Sequence, residues 1–289
     1  MHTKFIQGVF RRFTSTFAGL PLRVAGAASL LIVAGCQPTE RVIDWDAVLN
    51  GEHRAEANKA RDVYRHPKET LSFFGVTPCS TVVEIWPGGK GWYTEILGPI
   101  LKDCGKLYAA HFNPESEVEY FRKSLESYKT KLAASPGVYR TVELTVLDAP
   151  EKTAIAPEGS ADFVLTFRNI HNWMKYGTDQ AVFAAAYKAL KPGGILGVVE
   201  HRADAGVPLS TMISSGYVTE AKAIELAEAA GFKLVEKSDV NANPKDGHFH
   251  PRGVWTLPPS LRMGDEDREK YLAIGESDRF TMTFRKPGK

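Results

Sequence analysis

Short apolar runs, each closed by a polar or glycine-rich turn, recur along the chain and alternate with longer stretches of helical period. The runs fall at residues 81–85, 107–110, 142–147, 163–167, 195–200, 232–240 and 279–284. Val82, Val83 and Ile85 typify them, forming a nearly unbroken apolar run suited to a parallel strand covered on both faces. Helical stretches lie between them at 92–102, 114–134, 178–190 and 218–230. Glu115, Glu117, Glu119, Arg122 and Lys123 give the second of these a charged face that belongs in solvent. Strands alternating with helices predict an α/β fold, a doubly wound, mostly parallel, seven-stranded sheet. The last run follows a long segment, 241–278, without a clear crossover helix, so it is free to lie antiparallel. Good helix formers at 55–64, and Pro67 opening a second helix through Phe73 and Phe74, predict an N-terminal helical cap.

The segment 81–97, TVVEIWPGGKGWYTEIL, joins the first strand to a helix. Glu84 sits near the strand's end, and Pro87, Gly88, Gly89 and Gly91 turn the backbone tightly. In open α/β sheets, ligands bind outside the carboxyl ends of such strands, against a helix amino terminus. An ordinary strand-to-helix turn has the same composition, so this segment alone leaves both readings open.

Length and composition narrow the class. The chain has 289 residues and 43% hydrophobic content, enough for one sizeable core. Its net charge is +2, but four bases (Lys4, Arg11, Arg12, Arg23) and no acid lie in the first 35 residues, leaving −2 for the remainder. Such a near-neutral body gives no electrostatic case for nucleic acid. The basic start and the apolar run at 24–34, short for a membrane span, read as an export signal. Val33-Ala34-Gly35-Cys36 resembles a bacterial lipobox, which would make Cys36 a lipid-bearing first residue and anchor the chain to a membrane. Gln37 is not the Asp that retains lipoproteins in the inner membrane, so the expected place is the periplasmic side, at the outer membrane. A secretory signal cut nearby, or an uncleaved anchor, is the alternative. Arg11-Arg12 also hints at twin-arginine export, although Phe13 stands one place early for that pattern. An oxidising compartment permits a disulfide. Cys79 and Cys104 each precede an apolar run, and adjacent parallel strands would put both thiols at one sheet edge, so a Cys79–Cys104 bridge is expected, with two unconnected thiols as the alternative. The organisation expected is a signal at 1–35, a linker and helical cap at 36–66, and one domain at 67–289.

The acid and glycine turn at residues 84–91, the Lys191-Pro192-Gly193-Gly194 turn before a strand, and the closing strand pair together resemble the class I S-adenosylmethionine-dependent methyltransferases. More narrowly, EIWPGGKGWYTEIL (84–97), RNIHNW (168–173) and the segment at 241–259 resemble a family of predicted exported bacterial methyltransferases. The resemblance implies a Rossmann-like methyltransferase fold, S-adenosylmethionine as cofactor and a small-molecule substrate. It implies that Glu84 accepts a hydrogen bond from the cofactor while Gly88, Gly89 and Gly91 admit it. His111, at the end of the second strand, would face the ribose hydroxyls, and Asp148 would read the adenine amino group. Arg168 and Asn169 open the segment facing the transferring methyl, and His171 and His201 are the candidate general bases, having side chains that titrate near working pH. Trp86 stands where the first glycine of the superfamily pattern usually lies, and Lys90 interrupts the run. Trp173 reads as a cap on the core or a substrate contact. His248 and His250 form an H-x-H pair, but no recognised metal spacing accompanies it, and a lid over the pocket is the expected role of that segment. No G-x-G-x-x-G is present, which argues against a nicotinamide dehydrogenase. A second reading is a non-catalytic binding protein on the same scaffold, because S-adenosylmethionine is made in the cytoplasm and this chain reads as exported.

Overall fold

The computed structural model describes residues 41–288 together with Thr14, so the export signal and the lipidation expected at Cys36 lie outside the described residues. Seven strands form among them: β1 (Thr81–Ile85), β2 (Lys106–His111), β3 (Val142–Val146), β4 (Ala161–Phe167), β5 (Leu190–His201), β6 (Lys233–Ser238) and β7 (Arg279–Arg285). They make one sheet in the order β3-β2-β1-β4-β5-β7-β6. Every neighbouring pair is parallel except those of β7, which runs antiparallel to both β5 and β6.

Helices cover both faces. Before β1 come α1 (Trp45–Asn50), α2 (Glu56–Lys59), α3 (Asp62–Arg65) and α4 (Pro67–Phe74); α5 (Thr94–Leu101) and α6 (Glu119–Ala134) follow β1 and β2. Then come α7 (Ile170–Tyr176) and α8 (Asp179–Ala189) after β4, α9 (Leu209–Ser215) and α10 (Glu220–Ala229) after β5, and α11 (Arg268–Ile274) before β7. Adjacent strand residues feed opposite cores. Val83, Val164 and Val198 pack with Ile170, Phe183 and Leu226, whereas Val82, Leu165 and Val199 pack with Leu71, Ile96 and Leu101. That two-sided burial is why the strand runs are continuously apolar rather than alternating.

The differences from the sequence expectations have local causes. The helix expected over 55–64 is split into α2 and α3. Its side chains are claimed by tertiary pairs: Arg54 makes two hydrogen bonds to Asp62 (2.6 and 2.7 Å), and Asn58 donates to buried Glu95 at 2.9 Å. These contacts override intrinsic propensity. Residues 41–288 fall in one compact unit. The helix expected from 114 begins at Glu119, because Asn113 and Ser116 accept hydrogen bonds from the Glu115 and Val118 amides and form turns there. The turn at Lys191-Pro192-Gly193-Gly194 lies within β5, as an excursion between Leu190, paired with Ala161, and Ile195, paired with Phe163. Helices α7 and α9 had no counterpart in the sequence reading, nor did α11 and a 3-10 turn at Gly253–Thr256 inside the long segment. Cys79 and Cys104 are joined in a disulfide at the amino edge of β1 and β2, with Cα atoms 4.5 Å apart.

Candidate functional site

The strand order reverses direction between β1 and β4, which places a crevice at their carboxyl ends. A cleft of about 570 Å³ opens there. Trp86 and Gly88 reach it from β1, Phe112 from β2 and Asn169 from β4, with Trp255 and Arg262 closing it from the C-terminal segment. That segment was expected to act as a lid, and these two residues are its contribution.

The glycine turn itself faces protein as much as cleft. A Cβ on Gly91 would lie 2.9 Å from the Tyr128 ring, and one on Gly89 would lie 3.1 Å from the Ser124 carbonyl. Both neighbours belong to α6, which has closed over the turn. Gly88, at φ +69°, has nothing within 4 Å of the corresponding position and remains open to the cleft. Glu84 is sealed beneath the same helix at 2% exposure. Thr94 Oγ1 donates to its carboxyl at 2.7 Å, and the Tyr128 hydroxyl lies 3.0 Å from Thr94 Oγ1. Burial pushes the Glu84 carboxyl up to about 8, only partly offset by the Thr94 hydrogen bond. His111 is fully buried; its Nδ1 accepts from the Phe112 amide at 2.8 Å and its Nε2 has no partner. Desolvation lowers it to about 4, so it is a neutral ring inside the core. Asp148 accepts from Asn113 Nδ2 at 2.7 Å at the ends of β2 and β3.

Trp86 sits in the left-handed region at φ +48° and fills the floor of the cleft. Its ring lies 4.9 Å from Phe112, 5.9 Å from Phe121 and 6.0 Å from Trp173, and its Nε1 donates to the Leu147 carbonyl at 3.2 Å. Trp173 is buried and packs edge-on against Phe183, as a core cap would.

His171 and His201 are brought together beside the cleft, their rings 5.5 Å apart. Glu200, fully buried, organises this corner: it accepts from the Ile170 amide at 2.6 Å and the His201 amide at 2.9 Å, and faces His171 Nδ1 at 3.2 Å. A proton on Nδ1 donated to Glu200 leaves His171 Nε2 as the lone-pair atom. Burial, then the charges of His171 and Arg279, holds His201 well below the usual histidine range. Trp255, which lines the cleft, packs edge-on at 5.9 Å from His171. Among the described residues, His171, Glu200 and His201 are the one trio of potential metal ligands whose donor atoms lie within 4.8 Å of one another.

Asn169 donates to the Ile85 carbonyl at 3.1 Å and so ties the end of β4 to the end of β1. Arg168, at φ +62°, carries a charge that acts on Arg65, Arg279 and Glu276, members of a cluster that also holds Arg61. Sequence reasoning missed this cluster because Arg61 and Arg65 lie more than 200 positions from Glu276, and only the tertiary fold brings them together. His248 and His250 do not point at a common ion. His248 bonds Asp204 at 2.9 Å and Asp278 at 3.2 Å, while His250 bonds Asp246 at 2.8 Å. His248 thus fastens the C-terminal segment to the loop after β5, while His250 bonds within the segment.

No family model matches the chain, and no curated protein matches it in sequence. Solved structures share its fold. An S-adenosylmethionine-dependent methyltransferase from Aquifex aeolicus is 15% identical with a TM-score of 0.50, over 78% of this chain and 93% of that one. The 4+2 cyclase SpnF is 18% identical with a TM-score of 0.53, over 82% and 86%. The methyltransferase SibL, solved in its apo form, is 14% identical with a TM-score of 0.50; 80% of this chain aligns, spanning 57% of SibL. The fold is that of the class I S-adenosylmethionine-dependent methyltransferases.

Proposed function

We propose that this chain is a methyltransferase that uses S-adenosylmethionine and acts on a small acceptor, with the cofactor in the cleft at the ends of β1, β2 and β4. The observation that carries the proposal is the opening of that cleft on Gly88, walled by Trp86, Phe112, Phe121 and Trp255. About 570 Å³ lies within the range of small-molecule sites, and aromatic faces suit both a purine and a sulfonium. Gly88, Asn169 and Asn172 would hold the cofactor, in place of the contacts expected of Glu84, Gly89 and Gly91, which are spent on protein, and of His111, which is enclosed in the core. Bound S-adenosylmethionine supplies an electrophilic methyl, open to in-line displacement. The protein's part is to position the acceptor, exclude water with Trp255 and accept a proton at His171 Nε2.

The second reading, a binding protein without catalysis, is favoured by the sealing of Glu84 and by the sequence evidence for export. Calorimetric titration with S-adenosylmethionine separates the two. Gly88→Asn is the matched variant, because Asn tolerates a left-handed backbone yet fills the cleft. The first reading expects binding in the native chain, weakened at least ~tenfold in the variant while the melting temperature holds. No binding at millimolar cofactor removes it. We further propose lipid anchoring through Cys36 on the periplasmic face of the outer membrane. Cys36→Ser should release the chain from membranes, and retention would refute the anchor.

A further inference from the structure

We propose that Arg65, Arg168 and Arg279 form a buried oxyanion site, where α3 and the end of β4 meet the start of β7, which holds the carboxylate or phosphate of a small acidic ligand. Its identification as the methyl acceptor's acid rests on the function proposed above; the site itself does not. Three guanidiniums contact one carboxylate, and the charge of a fourth, Arg168, also acts on it. Glu276 accepts from Arg61 Nε at 2.5 Å, from Arg65 Nε at 3.2 Å and from Arg279 Nη2. Arg65 and Arg279 are 3% and 2% exposed. Beyond Glu276, Arg279 donates only to the Tyr64 carbonyl, and its Nε is buried without a partner. Arg65 makes no other side-chain hydrogen bond among the described residues; its guanidinium lies over the Trp92 ring at 4.7 Å. The Arg168 guanidinium, half-buried, has no hydrogen-bond or ion-pair partner among the described residues. Burial and the neighbouring Arg279 lower it to about 10.

Unpaired charge inside a protein is costly, and one carboxylate cannot balance four arginines. The other acid of this corner, Glu200, is taken by two backbone amides and His171. Placing a cation among His171, Glu200 and His201 would add to the imbalance, whereas an anion relieves it. The guanidinium fork matches the planar or tetrahedral oxygens of carboxylate and phosphate. Position ties the cluster to the histidines. Arg279 is the cross-strand partner of His201, and the Arg168 amide donates to the Val199 carbonyl at 2.7 Å, so all three lie at one end of the sheet.

The test titrates the purified chain with sulfate, inorganic phosphate and acetate against chloride at matched ionic strength, by calorimetry and thermal unfolding. We expect saturable oxyanion binding. Arg168→Met should weaken it ~tenfold or more while melting at or above the native temperature without anion, because Arg168 has no protein partner to lose. Arg140→Met, an exposed arginine paired with Asp103 outside the cluster, should keep the oxyanion response. The inference is overturned if oxyanions stabilise no more than chloride, or if Arg168→Met melts lower with its response intact. Repeating the titration with S-adenosylmethionine identifies the source of the acid. Competition assigns it to the cofactor's carboxylate, and independent binding assigns it to a separate ligand. Oxyanion binding in a chain that binds no S-adenosylmethionine would sustain the site and refute the methyltransferase reading.

Discussion

Replacing Glu84 with glutamine tests whether this acid is a core group or a cofactor ligand. Folded, Glu84 keeps its proton up to about 8, against an ordinary value of 4.5. Between those values the folded chain binds more protons than the unfolded one, so stability falls as pH rises. The stabilisation is fully present below 4.5 and lost as pH climbs through about 8. At ~1.36 kcal/mol per pH unit, the loss from pH 5 to pH 8 is roughly 3 kcal/mol from this side chain alone. The amide of the variant keeps the shape and a carbonyl for the Thr94 hydroxyl but has no proton to lose. Urea unfolding of native and Glu84→Gln chains at both pH values gives a double difference in which every other titrating group cancels. We expect that difference to be about 3 kcal/mol, with the variant the more stable at pH 8. A difference under ~1 kcal/mol would refute the sealing. Glu84 would then be ionised and hydrated, as a carboxylate presented to a cofactor must be.

Three further outcomes follow from the same geometry. Gly91→Ala forces a Cβ to within 2.9 Å of the Tyr128 ring at φ +51°, and should lower unfolding free energy by roughly 1–3 kcal/mol in a denaturant titration. Removing the disulfide by Cys79→Ser with Cys104→Ser opens a loop of 25 residues, and should cost about 3 kcal/mol relative to the oxidised protein. His248 is raised to about 9, first by its hydrogen bond to Asp278 and then, against the burial that lowers it, by the bond to Asp204. Its contribution is complete below 6.5 and lost as pH rises through about 9, so His248→Gln should flatten the alkaline limb of a melting-temperature profile, with no change in that limb counting against the ion pairs.

The sheet was legible in the sequence because two-sided burial leaves a strong signal. Val82 and Val83 feed different cores, so neither position tolerates a polar residue. The antiparallel last strand was legible too, through the missing crossover before Arg279. Much of the site was not. A motif states which residues stand at a turn, but not which neighbour occupies the space around them. Gly89 and Gly91 look the same in sequence whether they admit a ligand or Tyr128. Helix α7 hid inside a polar string because its amino terminus is stabilised by Glu200, 30 positions away, rather than by a local cap. The arginine cluster had no local signature at all.

Trp86 connects these observations. A bulky residue at φ +48° carries strain of order 1 kcal/mol or more, and persists only where packing overdetermines it. Here Phe112, Phe121 and Trp173 surround the indole and Leu147 takes its Nε1 proton. With α6 closed over Gly89 and Gly91, approach from that side is blocked, and Gly88 is the part of the turn left accessible. A ligand therefore enters between two indoles, Trp86 on the floor and Trp255 in the lid. In the next segment Asn169 lines this cleft, His171 packs against Trp255, and the charge of Arg168 acts on the arginine cluster. One short segment after β4 thus adjoins an aromatic slot and a cationic cluster at once. Under the proposed function, that pairing favours a ligand set with a flat aromatic part and a separate acid, and would tie cofactor and acceptor selection to the same few residues.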